Sequence, residues 1–187
     1  MFYTGIGSRE TPKEIQKMMR EAAFMLARAG WCLRSGGADG ADLAFQHGVA
    51  AYAISEELET PGEVADIYIP WEGFNHHRTA ESGIIVCPSK WNNWPEAEKI
   101  AARVHPAWDK CSRGAKALHT RNVYQVLGDN LDRPSTFLLC WAPVDEKGVP
   151  KGGTRTAWAL AEEYSIQCFN LFHESVHQRI VTWLERL

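Results

Sequence analysis

The sequence predicts an α/β protein built on one open, mainly parallel β-sheet with helices on both faces. Short apolar segments typical of buried strands alternate with helical segments along the chain, which is the pattern of a parallel sheet. Three glycine-rich turns each join a strand segment to the start of a helix. The chain has 187 residues, 45% of them hydrophobic, which is enough for one well-buried core. We therefore expect a single domain over residues 1–187, with an elaborated segment at about 55–120.

The first 54 residues predict two strand–helix units. Residues 2–6 form the first strand segment. The sequence Thr11-Pro12-Lys13-Glu14 then predicts an N-cap, a proline at the first helical position and a capping-box glutamate. Apolar residues continue at helical spacing until Gly30 ends the helix. The second unit is a strand over 31–34 and a helix over about 41–53.

The rest of the chain continues the alternation after a less regular middle. Polar residues at 55–63 predict a loop, and the stretch 80–120 is the least regular. The predicted strands are 65–69, 137–144 and 166–171. The predicted helices are 95–104, 114–127, a helix from the 152–153 turn to Glu163 and a closing amphipathic helix from Ser175.

The glycine-rich turns predict a site for an anion. They are Gly5-Ile6-Gly7-Ser8-Arg9, Ser35-Gly36-Gly37-Ala38-Asp39-Gly40 and Gly152-Gly153-Thr154-Arg155-Thr156. A parallel sheet places all strand-to-helix turns at the same edge, so backbone N–H groups and helix N-termini are expected to converge there. The ligand that this predicts carries phosphate, as a nucleotide or a nucleic-acid strand does.

The polar side chains of the first two turns have more than one interpretation. Ser8 and Arg9 can donate to phosphate, or the first turn can be an ordinary connection. Ser35 and its neighbouring glycines can supply further donors. Asp39 and Asp42 can accept hydrogen bonds from ribose hydroxyls or cap the following helix.

The charge pattern argues against a protein that binds nucleic acid mainly by its overall charge. The net charge is −3, although Lys110, Arg113, Lys116, His119 and Arg121 lie close together in sequence. This basic cluster is either a solvated helix face or a wall of the anion site. Trp71 and Trp141 lie at or near the ends of predicted strands, where an indole can stack on a base.

One motif for a metal site is present but is not interpreted as one. The segment His173-Glu174-Ser175-Val176-His177 has the H-E-x-x-H spacing of zinc proteases. His173 is expected to precede its helix, and Glu185 is the only downstream candidate for a third ligand. We therefore predict no metal site and no cofactor from the sequence.

The remaining composition favours a cytoplasmic protein. There is no run of 18 apolar residues, and the first residues have no basic segment of the signal-peptide type. The five cysteines are scattered, and none lies in a C-x-x-C pair. A reducing compartment, with no membrane partner, is expected.

Four ordered motifs carry a resemblance to a known family. The segment from Ser35-Gly36-Gly37-Ala38-Asp39-Gly40 to Ala41-Asp42-Leu43-Ala44-Phe45 resembles the signature of the DprA/Smf family and of the wider SLOG superfamily. Gly5–Arg9 resembles the family's opening Gly-(Ser/Thr)-Arg turn, and Arg121-Asn122 resembles its Arg-Asn pair. The segment 152–157 resembles its late Gly-(Ser/Gly)-x-x-Thr-Ala turn. The compact length is most similar to that of the short DprA-like proteins of tailed phages.

This resemblance implies a Rossmann-like fold that binds nucleotides, with two kinds of partner. DprA-type members bind single-stranded DNA through the glycine edge, whereas other SLOG members bind or hydrolyse small nucleotides, and relatives often form homo-oligomers. Together with the turns, it implies a set of ligand-binding residues. They are Gly5, Gly7, Ser8, Arg9, Ser35, Gly36, Gly37, Asp39, Gly40, Asp42, Trp71, Arg121, Asn122, Gly152, Gly153, Thr154 and Thr156.

The hydrolytic branch of the superfamily matches less well. The Lonely Guy enzymes carry Pro-Gly-Gly-x-Gly-Thr-x-x-Glu, where this chain has Lys151, Arg155 and Ala159 in place of the proline, the third glycine and the glutamate. That carboxylate is expected to support an oxocarbenium-like transition state, although Asp39, Asp42 or Asp129 could take its part. The hypothesis is therefore a nucleotide-binding protein, with a single-stranded DNA-binding recombination accessory and a nucleotide N-glycosidase as alternatives.

Overall fold

The computed structural model describes residues 1–59, 64–81 and 84–187, and these form a Rossmann-like α/β fold. One sheet has the strand order β4-β3-β2-β1-β5-β6, and all five pairings are parallel. The strands are β1 (Phe2–Gly7), β2 (Cys32–Ser35), β3 (Ala65–Tyr68), β4 (Ile85–Val86), β5 (Phe137–Trp141) and β6 (Gln167–Asn170). The predicted fold class is confirmed.

Helices cover both faces of the sheet. They are α1 (Lys13–Arg28), α2 (Ala41–Ser55), α3 (Trp94–Val104), α4 (Arg113–Leu127), α5 (Thr154–Glu163) and α6 (Glu174–Leu184). Helices α1, α2 and α6 enclose one apolar core, and α3, α4 and α5 enclose the other. Successive residues of β5 alternate between these two cores, with Phe137 and Leu139 on the first side and Leu138 and Cys140 on the second. This alternation is the reason that the strand reads as a continuous apolar run.

Several predicted boundaries differ from the observed ones. Helix α1 begins at Lys13 with Pro12 as its cap residue, so Thr11 is not the N-cap. The Thr11 hydroxyl instead donates to the carbonyl oxygen of Ser8 (2.6 Å), which ties the first turn together. The strand predicted over 137–144 ends at Trp141 because the chain turns away into an isolated bridge between Val144 and Pro150.

The middle segment contributes more regular structure than the sequence indicates. Strand β4 was not predicted, and its two residues extend the sheet beyond β3. In the described part of the same stretch there are four short 3-10 helices, at Phe74–His76, Thr79–Glu81, Pro88–Lys90 and Trp108–Lys110. Part of the loop predicted over 55–63, residues 60–63, lies outside the described residues. None of the helices in the described parts of the chain is long and apolar enough to cross a membrane.

The strand order reverses direction at β1. The chain runs outward from β1 through β2 and β3 to β4, then returns to add β5 and β6 on the other side of β1. Ligands of open α/β sheets bind in the crevice beyond the carboxyl ends of the two strands at such a reversal. Here that crevice lies beyond Gly7 and Trp141, which are partners in the sheet register.

Candidate ligand-binding site

A cavity of about 540 Å³ lies at this crevice. It is formed by the turn after β1, the start of α2, one face of α4 and the segment that precedes α5. The lining residues are Ile6, Gly7, Ser8, Arg9, Glu10, Ala38, Asp42, Leu118, Arg121, Asn122, Gln125, Pro143, Lys151, Gly152, Gly153 and Thr154. The structure therefore brings parts of all three predicted turns, and the Arg121-Asn122 pair, to one place.

The first turn is held in shape by hydrogen bonds of its own backbone. The N–H of Ser8 donates to the carbonyl oxygen of Trp141 (2.8 Å), and the N–H of Gly7 donates to Asp42 Oδ1 (3.2 Å). These two N–H groups are therefore not free for a ligand. Arg9 and Glu10 are exposed at the rim of the cavity.

Gly5 and Ser35 lie within the sheet and act in packing. A Cβ atom at Gly5 would lie 2.7 Å from Leu33 Cδ1 and 2.9 Å from Phe45 Cγ, so the glycine lets α2 approach β1 closely. Ser35 is fully buried, and its hydroxyl donates to the carbonyl oxygen of Gly5 (2.6 Å). Neither residue lines the cavity.

The second turn packs against the rest of the site. A Cβ atom at Gly36 would lie 1.4 Å from Arg121 Nη1, and one at Gly40 would lie 2.5 Å from the carbonyl oxygen of Ser8. The carbonyl oxygen of Gly37 accepts a hydrogen bond from Asn75 Nδ2 (2.9 Å). Gly36, Gly37 and Gly40 thus allow close approach between parts of the protein, and they do not line the cavity.

The third turn is open. Gly152 and Gly153 are exposed, and Cβ atoms built there have no described atom within 4 Å. Within the described residues, the N–H groups of Gly152, Gly153 and Thr154 have no hydrogen-bond acceptor. These groups belong to the N-terminus of α5, where the helix dipole is positive. The arrangement is suited to bind an anion.

A buried carboxylate and a buried guanidinium lie beneath the cavity. Asp42 Oδ2 and Arg121 Nη1 are 3.8 Å apart, and their side chains are each 5% exposed. Asp42 also accepts from the N–H of Ala38 (3.4 Å), which together with its bond to Gly7 joins the first two turns. Burial raises the pKa of Asp42 to about 6 despite the nearby Arg121.

Arg121 reaches the cavity with unused hydrogen-bonding capacity. Its Nη1 donates to the carbonyl oxygen of Tyr68 (3.1 Å), and the ring of Phe74 lies 5.8 Å from its Cζ. Its Nε is buried and has no hydrogen-bond partner among the described residues. Burial lowers the pKa of Arg121 to about 10, and Asp42 opposes this shift. The guanidinium therefore stays charged at neutral pH.

Two amide side chains of α4 position the second and third turns. Asn122 Nδ2 donates to the carbonyl oxygen of Gly153 (3.0 Å). Gln125, oriented so that its amide groups find partners, accepts from the N–H of Gly36 (3.0 Å) and from Arg121 Nη1 (3.2 Å). Gln125 was not among the predicted site residues. The sequence feature that could have identified Gln125 is its position four residues after Arg121, because this spacing places both side chains on one face of a helix.

Three further predicted ligand contacts, besides the five residues described above, do not line the cavity. Asp39 accepts from Asn75 Nδ2 (3.2 Å) at the surface. Trp71 is 42% exposed and packs edge-on against Phe74, with a distance of 5.3 Å between the ring centroids. Thr156 is buried, and its hydroxyl is paired with His119 Nδ1 (2.8 Å) on the far side of the turn.

The H-E-x-x-H segment does not place its two histidines for a common metal. His173 is the residue that precedes α6, as the sequence predicts. His177 Nε2 is hydrogen-bonded to the carbonyl oxygen of Leu171 (2.6 Å). A different group has no signal in the sequence: His105, Cys111 and His119 come together although they are six and eight residues apart in the chain.

No protein-family profile and no curated protein matches this chain significantly. Among solved structures, it resembles DNA processing protein A from Helicobacter pylori, which was described for its mode of binding single-stranded DNA. The TM-score is 0.41 and the sequence identity is 16%, over 100% of this chain and 81% of the other.

Proposed function

We propose that this protein binds a phosphate-bearing nucleotide, or a ligand derived from one, in the cavity beyond β1 and β5. The observation that carries this proposal is the third turn. Its consecutive N–H groups at Gly152, Gly153 and Thr154 have no acceptor in the described part of the chain. They line the same cavity as the guanidinium of Arg121.

The charges around the cavity favour an anion. Three cationic side chains (Arg9, Arg121 and Lys151) and two carboxyl groups (Glu10 and Asp42) line it. The positive end of α5 adds to the cationic side. A phosphate at the third turn would accept from the backbone, while Arg121 would offer its unpaired Nε or a second guanidinium nitrogen.

The size of the cavity supports a small ligand. Its volume of about 540 Å³ falls within the range of roughly 300–1,000 Å³ that is usual for small-molecule sites. Apolar atoms of Ile6, Leu118 and Pro143 line part of it and could pack against a base. A base and one or two phosphates is therefore the class of ligand we propose.

The experiment is a thermal-shift screen of mono-, di- and cyclic nucleotides, followed by calorimetric titration of those that raise the melting temperature. Gly153→Asp is the decisive variant. Gly153 has helical backbone angles and caps α5, so an aspartate there suits the helix but places a negative charge against the ligand phosphate. We expect unchanged or higher stability in the absence of ligand and at least about 10-fold weaker binding.

Gly153→Ala is the matched control, because it adds a Cβ without charge at a position where no described atom lies within 4 Å. It should weaken binding less than Gly153→Asp does. A flat response of the native protein to every nucleotide would contradict the proposal. If Gly153→Asp and the native protein bind the nucleotide equally well, the ligand does not bind at the third turn.

Single-stranded DNA carries the same phosphate groups as a nucleotide, so we also test whether it binds at this cavity. With a net charge of −3, we expect oligothymidine binding on the order of micromolar or weaker at physiological salt. Arg9→Ala and Lys151→Ala should reduce it, whereas Arg28→Ala, at the opposite end of α1 from the cavity, should not. Nanomolar binding that nucleotides do not compete would favour the recombination accessory over the nucleotide protein.

The position of Asp42 favours N-glycosidic hydrolysis as the second candidate function. Asp42 is one of the residues that line the cavity, and burial raises the pKa of its carboxyl group to about 6, as suits a general acid or base. Chromatography of nucleoside monophosphates incubated with the protein would show whether free base is released. Release that is lost in Asp42→Asn would establish an enzyme, whereas release that survives in that variant would assign the activity elsewhere.

A further inference from the structure

A group of two histidines and one cysteine lies outside the cavity, against α4 and α5. His105 follows α3, Cys111 follows the 3-10 helix Trp108–Lys110, and His119 lies on α4. Their potential ligand atoms all lie within 4.8 Å of one another, and each residue is partly exposed. Two imidazoles and a thiolate are a ligand set that Zn²⁺ prefers.

The distances are close to those of a tetrahedral zinc site. With Zn–N of roughly 2.0 Å and Zn–S of roughly 2.3 Å, ligand nitrogen and sulfur atoms are about 3.5 Å apart. Cys111 Sγ lies 3.8 Å from both Nδ1 and Nε2 of His105. The ring centroids of His105 and His119 are 4.3 Å apart.

Neighbouring groups hold His119 in an orientation suited to metal binding. His119 Nδ1 is hydrogen-bonded to the hydroxyl of Thr156 (2.8 Å), which leaves Nε2 for a metal. Histidines that bind metals usually have their second nitrogen held in this way. The N–H of Ala107 donates to His105 Nδ1 (3.1 Å), and metal binding through either ring nitrogen replaces this bond, because an unprotonated Nε2 requires the proton to be on Nδ1.

We propose that His105, Cys111 and His119 form a Zn²⁺ site with an open fourth position. On binding, the Cys111 thiol loses its proton to solvent and its sulfur forms a bond to the metal, while the two imidazoles bind as neutral donors. The fourth position holds water, since all three residues are partly exposed to solvent. The nearby Arg155 is paired with Asp145 (3.3 Å), which lowers its repulsion of the ion.

The test begins with protein freed of metal by a chelator and titrated with Zn²⁺ against a chromophoric competitor. One ion per chain with a submicromolar dissociation constant is expected. Titration with Co²⁺ should give a thiolate-to-cobalt charge-transfer band and the visible bands of a four-coordinate ion. Cys111→Ser should remove the charge-transfer band, and Cys111→Ser and His119→Ala should each weaken Zn²⁺ binding by about 100-fold or more. Thr156→Val should weaken it by about 10-fold through the loss of orientation.

Matched controls are available in the same chain. His173→Ala alters an exposed histidine of the H-E-x-x-H segment, and Cys168→Ser alters a partly buried thiol of β6. Both should leave Zn²⁺ affinity unchanged within a factor of about two. Circular dichroism of each metal-free variant verifies that it is folded. Absence of stoichiometric binding tighter than about 10 μM would overturn the proposal, and so would binding that survives in both Cys111→Ser and His119→Ala or is lost in His173→Ala.

Discussion

The second and third glycine-rich turns look alike in sequence but act differently in the structure. In the second turn, Gly36 lies against Arg121 and Gly40 lies against the backbone of the first turn. In the third turn, Cβ atoms at Gly152 and Gly153 would have no neighbour within 4 Å among the described residues. The glycines of the second turn therefore allow the protein to pack on itself, whereas those of the third leave backbone N–H groups open to a ligand. Glycine-rich composition alone does not distinguish these two uses.

The largest expected effect on stability comes from replacing a glycine of the second turn by alanine. The same replacement in the third turn is the comparison. In Gly36→Ala the Cβ would lie 1.4 Å from Arg121 Nη1, so the guanidinium must shift, which disturbs its contacts with Asp42 and with the carbonyl oxygen of Tyr68. We expect a loss of about 3 kcal/mol or more in the free energy of unfolding, because overpacking adds to the disruption of a buried ion pair. Gly153→Ala should change it by less than about 1 kcal/mol.

Urea unfolding of the two variants measures this comparison directly. A loss smaller than about 1 kcal/mol in Gly36→Ala would show that the second turn is not tightly packed. The same contact means that a larger residue at Gly36 disturbs the fold. Substitutions at Gly153 are thus the cleaner probe of the ligand.

The second prediction concerns the pair that joins the first two turns to α4. Arg121→Met removes the guanidinium and leaves the Asp42 carboxylate buried without its ionic partner, for which we expect a loss of about 3 kcal/mol. The double variant Arg121→Met/Asp42→Asn should recover part of that loss, because no unpaired charge is left buried. Unfolding of the native protein, both single variants and the double variant gives the coupling energy.

Additive effects in this cycle would mean that Asp42 and Arg121 do not stabilise each other across their 3.8 Å separation. Ligand binding by the double variant separates the role of this pair from the role of the third turn. The double variant should remain folded but bind nucleotide more weakly than the native protein, because the guanidinium of Arg121 is lost while the N–H groups of the third turn, Arg9 and Lys151 are retained.

The last prediction concerns the pH dependence of stability, an effect that is spread over about two pH units. Burial raises the folded-state pKa of Asp42 from 3.8 to about 6, so between these values the folded protein binds more protons at this site than the unfolded chain. The contribution of Asp42 to stability is therefore most favourable below pH 4 and falls as the pH rises to about 6. Asp42→Asn should lack this decrease.

The measurement is the difference in unfolding free energy between the native protein and Asp42→Asn, taken at intervals from pH 4 to 7. The difference isolates Asp42 from Asp66, whose pKa burial also raises to about 6. A difference in unfolding free energy that stays constant over this pH range would contradict the raised pKa of Asp42. The variant leaves the third turn intact, so its backbone N–H groups remain available for ligand binding.

Local patterns were sufficient for most of the elements and for the edge of the sheet at which the cavity lies. Alternation of strand and helix segments predicts β1, β2 and β5 because each carries an apolar run bounded by a turn. Strand β4 has only two residues, too short to show a pattern. The N-cap of α1 was assigned one residue too early, because the first intrahelical hydrogen bond, from the N–H of Gln16, is accepted by the carbonyl oxygen of Pro12 (2.9 Å).

The sequence by itself determined the α/β architecture and the edge at which the turns meet, because a parallel sheet follows from the order of its elements. It also singled out Arg121 and Asn122, which do line the cavity. Only the tertiary structure decided which turn is open to a ligand and that His105, Cys111 and His119 come together. The physical reason is that free N–H groups and metal-ligand distances depend on neighbours distant in the chain, and local spacing does not specify those neighbours.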